Sequence, residues 1–186
     1  MAALIGVLVA SLLYVAACPP HDWAVVAGQA ADPEDGPIYT PGTDAQPIRT
    51  EIGPLGVVIC YEILFPRLVN ELVRRGAEVL VNLSNDSWLD DGDGAAPRQH
   101  FSMAVFRAVE TRRFLVRAAA SGLSGFVAPT GEIYATVAVG AAATSVARVV
   151  PRHGQTPYVR FGDVWVPGVG VLVALGIALG ARRVAA

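Results

Sequence analysis

The chain has 186 residues, of which 53% are hydrophobic and only 16% are charged. Soluble domains average about 45–50% apolar and about 25% charged residues, so this composition excludes disorder and indicates apolar segments beyond an ordinary core. A formal net charge of −2, two cysteines and three histidines argue against a nucleic-acid partner, a disulfide scaffold and a four-cysteine zinc site.

The first apolar segment is residues 1–17, which contain no charged side chain. As a helix it would reach about 25 Å, close to the hydrocarbon thickness of a bilayer, which is about 30 Å. Three interpretations are open: a transmembrane helix over residues 1–18, a secretory signal peptide, or a lipoprotein signal that ends at Cys18. We favour the transmembrane helix, because signal peptides begin with a positively charged region and no Lys or Arg occurs here.

Residues 19–163 form the predicted domain, and its pattern is α/β. The apolar run LGVVI over residues 55–59 is typical of a strand buried on both faces. A helix over residues 66–75 follows, with Pro66 suited to its first turn and Gly76 to its end. A second buried strand covers residues 77–83. Because a short β-α-β unit joins the strands, we expect them to be parallel.

The remaining elements of the domain follow from the same patterns of hydrophobicity. We predict a polar loop over residues 84–97 and then a helix over residues 99–113. Three strands complete the domain, over residues 114–120, 123–128 and 133–139, and the last two are joined by a turn that contains Pro129 and Gly131.

The second apolar segment, residues 164–181, has no charged side chain and ends at Arg182 and Arg183. Its length predicts a second transmembrane helix. The positive-inside tendency places the two arginines in the cytoplasm. If both apolar segments span the membrane, the domain lies on the outer side.

Cys60 is the first candidate for chemistry. It follows the strand over residues 55–59 directly, and the carboxyl ends of parallel strands are where α/β sheets present catalytic groups. Backbone N–H groups at such a turn can stabilise a thiolate and a developing oxyanion. Glu62 could orient or protonate a reacting group, or could pair with the dipole of a helix. On these residues alone, a catalytic and a structural Cys60 both stay open.

The other polar residues give weaker signals. Four aspartates follow the second strand: Asp86, Asp90, Asp91 and Asp93. Their spacing does not match a calcium-binding loop, so we expect a solvated loop, no metal site and no cofactor. We expect His100 to make a local hydrogen bond at the start of a helix. Arg107, Arg113 and Arg117 could meet lipid phosphate or pair with Glu110 and solvent, and we favour structural roles for most of them.

Several blocks of sequence resemble one known family. They are residues 39–42, 56–62, 81–88, 99–100 and 129–131, with Met103, Arg107, Glu110, Arg113 and Arg117 between them and Tyr158, Arg160 and Asp163 before the last apolar run. Their order and the terminal apolar segment resemble the apolipoprotein N-acyltransferases, a branch of the nitrilase (carbon–nitrogen hydrolase) superfamily. The resemblance covers roughly residues 36–181.

The resemblance implies a nitrilase-like αββα sandwich, flanked by transmembrane helices, on the outer side of a bacterial inner membrane. Its implied partners are a phospholipid acyl donor and a diacylglyceryl lipoprotein, whose N-terminal amine accepts the acyl chain. Cys60 would be the nucleophile that carries the acyl group as a thioester, and Glu62 a second catalytic residue. Tyr61 and Trp88 would contact the substrate.

The sequence also departs from the family. The superfamily uses a Glu–Lys–Cys triad, and this chain contains no lysine. We therefore expect an incomplete αββα sandwich: a C-terminal fragment, an internal deletion or a degenerate copy. Two alternatives stay open, a soluble nitrilase- or amidase-type hydrolase and a non-enzymatic lipoprotein anchored through Cys18.

Overall fold

A computed structural model of the protein describes residues 44–89 and 94–184. The predicted helix over residues 1–18, Cys18, the block over residues 39–42 and three of the four aspartates lie outside the described residues. The chain divides into two units. One is the domain Gly42–Arg160, and the other includes the C-terminal segment Phe161–Ala186.

The described part of the domain is built on a mixed sheet of six strands, in which strands that follow each other in the sequence are neighbours. The strands are β1 (Ile48–Thr50), β2 (Gly53–Ile59), β3 (Val79–Ser84), β4 (Phe114–Ala119), β5 (Ser124–Val127) and β6 (Ile133–Val137). The pairs β2–β3 and β3–β4 are parallel, and the other pairs are antiparallel. The helices of the domain are α1 (Pro66–Arg74), α2 (Ala95–Thr111) and the short α3 (Pro157–Phe161).

The β2–α1–β3 unit has the predicted parallel arrangement. Pro66 occupies the first position of α1, where a missing N–H costs nothing. Gly76 follows the end of the helix with φ of 101°, a conformation that glycine adopts without the steric penalty of a side chain. The chain then returns into β3, and Val57 pairs with Val81 across the two strands.

The core lies between the sheet and the helices α1 and α2. Side chains alternate along each strand, so that Val58, Leu80 and Leu115 point to one face and are completely buried. They belong to one cluster with Val69 of α1 and Ala104 of α2. The cluster holds β2, β3 and β4 together, and their parallel register brings the carboxyl ends of the three strands side by side.

Apolar side chains at the same end of the sheet remain exposed on the opposite face. Ile59 and Leu83 are paired neighbours on β2 and β3, and they are 62% and 46% exposed. The predicted αββα sandwich would cover this face with a second sheet. Within residues 44–89 and 94–160, the structure shows one sheet and one layer of helices.

Some local details of the structure differ from the predictions. Strand β1 was not predicted, because its three residues are all exposed and carry no hydrophobic pattern. The second helix begins at Ala95 rather than at residue 99, since Pro97 fits within its first turn. That helix ends at Thr111, and Arg112 follows in a left-handed conformation with φ of 55°.

The C-terminal unit is dominated by helix α4 (Trp165–Val184), which follows a 3-10 turn over Gly162–Val164. A helical stretch over Pro157–Ile177 is long and apolar enough to cross a membrane, with a mean hydropathy of 1.4. Length and composition alone are weak evidence for a span. The predicted C-terminal helix is therefore present, and its insertion into a membrane stays a prediction.

Candidate active site

Cys60 lies at the abrupt turn where β2 ends. It has φ of 49°, in the left-handed region that residues with a side chain adopt at a cost of about 1–3 kcal/mol, and it begins a 3-10 helix over Cys60–Leu64. The thiol is free and the residue is half-buried. The sequence placed Cys60 at the carboxyl edge of a parallel strand, and that position is correct. The left-handed backbone was not foreseen.

Glu62 stabilises the same turn through a contact with the residue before Cys60. Its Oε2 accepts a hydrogen bond of 2.7 Å from the backbone N–H of Ile59. This contact ties the 3-10 helix to the last residue of β2, as a capping carboxylate does at the start of an α-helix. In the structure, Glu62 therefore has a defined role in shaping the turn around Cys60.

Three aromatic rings lie around Tyr61, the residue that follows Cys60. The ring of Tyr61 lies 6.5 Å from that of Trp88, 6.3 Å from that of Phe65 and 6.1 Å from that of His100, measured between centroids. Tyr61 is 47% exposed and Trp88 is 63% exposed. The two residues expected to contact substrate thus have exposed rings close to each other, and one of them is the residue that follows Cys60.

Asn82 contacts the turn from the neighbouring strand. It is completely buried in β3, and its Nδ2 donates to the backbone oxygen of Val58 at 3.1 Å and to that of Cys60 at 3.4 Å. The sequence analysis missed this residue. The signal was present, because an asparagine within the apolar strand VLVNLS must find hydrogen-bond partners when it is buried.

Behind Asn82 lies a buried group of charged side chains. Arg117 of β4 donates to Asn82 Oδ1 through Nη1 and to Asp86 Oδ2, at 2.7 Å, through Nη2. The other carboxylate oxygen, Asp86 Oδ1, lies 3.1 Å from His100 Nδ1 and accepts a hydrogen bond of 2.5 Å from Ser84 Oγ. We call Asn82, Asp86, His100 and Arg117 the buried polar network.

The electrostatics of the network favour a charged Asp86. Burial is the largest single influence and raises the pKa of this carboxyl, but the hydrogen bond from Ser84, the charge and hydrogen bond of Arg117 and the charge of His100 together outweigh burial. The pKa of Asp86 therefore lies below its usual value of 3.8. Asp86 and Arg117 form an ion pair inside the domain.

The network corrects two expectations. Asp86 was expected in a solvated loop, but it is completely buried, because Arg117 supplies the charge that allows a carboxylate to leave water. His100 was expected to make a local hydrogen bond, but its Nδ1 lies 3.1 Å both from Asp86 Oδ1, in the loop after β3, and from Arg117 Nη2.

The other two arginines have structural partners in the domain. Arg107 pairs with Glu110, as expected, at 2.7 Å and also donates to the backbone oxygen of Leu64. Arg113 is buried rather than solvated, and it donates to the backbone oxygens of Ala77 and Gly154. Within the described part of the chain, no group of three or more His, Cys, Asp or Glu side chains is arranged to hold a metal ion.

The segment of sequence that contains this turn matches a known protein family. The model of the carbon-nitrogen hydrolase family matches residues 25–158, which is most of the chain. The chain belongs to the carbon-nitrogen hydrolase family. The predicted α/β class and the resemblance to this superfamily are thus confirmed, with a mixed sheet as the observed architecture.

Relatives within this family point to one branch. The chain is 38% identical over 141 residues to a protein named apolipoprotein N-acyltransferase from Geobacter metallireducens, and 36% identical over 138 residues to one from Thermotoga maritima. Each match covers 74% of this chain and 27% of the relative. The chain therefore spans about a quarter of the length of these relatives.

Solved structures of carbon-nitrogen hydrolases also match. One from Helicobacter pylori G27 is 22% identical, with a TM-score of 0.49, over 54% of this chain and 42% of that protein. Nit3 of Saccharomyces cerevisiae, a member of the nitrilase superfamily, is 28% identical, with a TM-score of 0.46, over 54% of this chain and 39% of that protein.

Proposed function

We propose that this carbon-nitrogen hydrolase chain carries the nucleophile region of an apolipoprotein N-acyltransferase. The reaction would move an acyl chain from a phospholipid to the N-terminal amine of a diacylglyceryl-cysteine lipoprotein. The observation that carries the proposal is the turn at Cys60, where a free cysteine follows the carboxyl end of β2 and precedes Tyr61, whose exposed ring lies 6.5 Å from that of Trp88.

The proposed chemistry has two steps. In the first, the Cys60 sulfur attacks the ester carbonyl carbon of the phospholipid. An S–C bond forms, the C–O bond to glycerol breaks, and the lysophospholipid leaves with the proton that the thiol has lost. In the second step, the lipoprotein amine attacks the thioester, an amide forms and the thiol is regenerated. A thioester suits this role because amines attack it readily.

The nearby residues would have distinct tasks. Tyr61 and Trp88 would pack against the acyl chain, since large exposed apolar side chains beside a nucleophile favour an apolar substrate. Glu62 would hold the turn through its bond to Ile59 while its position beside Cys60 keeps a carboxylate close to the reacting atoms. No lysine occurs in the sequence, so in this proposal the lysine of the superfamily triad would be supplied by another polypeptide segment.

The proposed location is the bacterial inner membrane, with the domain on the periplasmic side. Helix α4 supports a membrane anchor, because apolar side chains such as Val169, Leu172 and Leu179 are exposed along it. Both proposed substrates are lipids or lipid-bearing proteins, so an anchored domain would meet them at the bilayer surface. Residues 1–18 would form the second span.

The test is acylation of Cys60 in membranes. The full chain is expressed alone and together with the portion of the Geobacter metallireducens relative that precedes the matched region. Purified protein is weighed by intact mass before and after neutral hydroxylamine, which cleaves thioesters. We expect a labile acyl mass on the co-expressed chain and little or none on the chain alone.

Matched variants identify the acylated residue. Cys60→Ala should abolish the labile mass, and Cys18→Ser should leave it unchanged. Labile mass that survives Cys60→Ala would refute the proposal. A stable diacylglyceryl mass on Cys18 would instead support the lipoprotein interpretation, and recovery of an amide-hydrolysing chain in the soluble fraction would support the hydrolase interpretation.

A further inference from the structure

We infer that Asn82 is a positioning residue for Cys60, and that Arg117 and Asp86 fix the orientation in which the Asn82 side chain works. The inference rests on the proposed function, because it assigns these residues to the nucleophile of that reaction. Its basis is the chain of hydrogen bonds that runs from the Cys60 carbonyl through Asn82 and Arg117 to Asp86.

The Asn82 amide is held in one orientation. A side-chain amide has an oxygen that accepts and a nitrogen that donates, and its two ends can exchange by a flip. Arg117 has donors only, so its contact with Asn82 requires the amide oxygen to face β4. The amide nitrogen then faces β2, where it meets the backbone oxygens of Val58 and Cys60.

The contact with Cys60 matters because of the backbone at that residue. With φ of 49°, Cys60 is in a conformation that surrounding structure has to maintain. Glu62 holds the turn through the N–H of the preceding residue, Ile59, and Asn82 holds it through the carbonyl of Cys60 itself. Together the two side chains define the direction in which the chain leaves β2.

Asp86 keeps Arg117 in place. The arginine side chain is completely buried, and the carboxylate supplies its counter-charge at 2.7 Å. Gly122 lies against this carboxylate, and a Cβ atom there would overlap Asp86 Oδ2. His100 joins the other carboxylate oxygen and places its ring beside Tyr61. One network therefore contacts both Cys60 and the aromatic residue next to it.

The experiment uses Asn82→Asp in the full chain with Cys18→Ser. Aspartate has the size of asparagine and can still accept from Arg117, but it loses the donor that meets Cys60. When the protein is labelled with 1-¹³C-cysteine, the backbone carbonyl of Cys60 is the one that carries the label, because Cys18 is replaced in this background. Loss of the hydrogen bond should raise the frequency of that carbonyl in isotope-edited infrared spectra.

The second readout is the rate of thioester formation with p-nitrophenyl butyrate, an activated ester, on the same chain co-expressed with the portion of the Geobacter metallireducens relative that precedes the matched region. Sulfur replaces p-nitrophenolate on the acyl carbon, and the thiol proton goes to the buffer. We expect the maximal rate to fall about tenfold in Asn82→Asp with a half-saturating ester concentration close to that of the parent, which corresponds to about 1.4 kcal/mol. Arg117→Lys, which keeps the charge opposite Asp86 but loses the planar fork of donors, should act in the same direction.

The matched control is Asn70→Asp, which places the same substitution at a buried asparagine in α1. The inference is overturned if Asn82→Asp leaves the carbonyl frequency at the parent value, or if Asn70→Asp slows thioester formation equally. If the parent forms no thioester with the ester, the proposed function fails, while the carbonyl frequency still decides whether Asn82 holds Cys60. If Asn82→Asp does not fold, the carbonyl frequency and the rate of thioester formation are measured on Arg117→Lys instead. Parent values for both would overturn the inference.

Discussion

Replacing Arg117 by methionine tests the ion pair inside the domain. The arginine side chain is completely buried, and it contacts Asn82 Oδ1 and Asp86 Oδ2. Methionine fills much of the space but leaves the Asp86 carboxylate without its cation. Removing one partner of a buried ion pair costs about 3–5 kcal/mol, so we expect the free energy of unfolding to fall by that amount near neutral pH.

The pH dependence of this loss identifies its cause. In the parent, Asp86 has a pKa below 3.8, so its contribution to stability is present above that pH and is lost as the pH falls through the folded-state pKa. Without Arg117 the pKa of Asp86 rises relative to the parent, because burial is opposed by fewer favourable contacts. The folded variant then binds a proton more readily, and the penalty should shrink as the pH is lowered.

Urea titrations of the full chain in detergent micelles, followed by circular dichroism, measure both effects at about pH 7 and about pH 4. Arg113→Met is the control, because that arginine is also buried but donates to backbone oxygens. Its penalty should change less between the two pH values, because its hydrogen-bond partners do not titrate and Glu78 acts on it only through charge. The reasoning is refuted if Arg117→Met costs less than about 1 kcal/mol, or if its penalty is the same at both pH values.

Three further predictions use the same titrations. Glu62→Ala should lower the free energy of unfolding by about 1 kcal/mol, because the hydrogen bond to Ile59 is lost. Glu62→Gln keeps an acceptor and should lower it by about half of that or less. Equal decreases for the two variants would contradict the capping role. Gly122→Ala should cost about 1–3 kcal/mol, because its Cβ would displace Asp86, and a neutral result would contradict the close approach. Leu115→Ala should cost about 2–5 kcal/mol, and the exposed control Leu83→Ala should cost less than about 1 kcal/mol; similar values would contradict the assigned core.

The elements that could be predicted from the sequence are those with strong local signals. The run LGVVI, Pro66 and Gly76 together predict the β2–α1–β3 unit, because burial, helix initiation and helix termination each have a residue suited to them. The place of Cys60 follows from that unit. Strand β1 has no such signal, since its residues gain their conformation from pairing with β2.

The buried polar network could not be predicted, because it depends on contacts between elements. Arg117 and Asp86 are far apart in sequence, and an isolated aspartate in a polar loop is most often solvated. Register decides the outcome, since β3 and β4 pair Asn82 directly with Arg117 and turn both side chains to the same face. The sequence shows that these residues are present, but it does not show which residues pair across the two strands.

The order of the strands bears on how the domain assembles. Among the described residues, each strand from β2 to β6 pairs with the strand made just before it, so each pairing closes a short segment of chain and the sheet can grow in the direction of synthesis. Asn82 and Asp86 belong to β3 and the loop after it, whereas Arg117, which contacts both of them, belongs to β4. During translation, the geometry around Cys60 is therefore completed only after the fourth strand has emerged and paired.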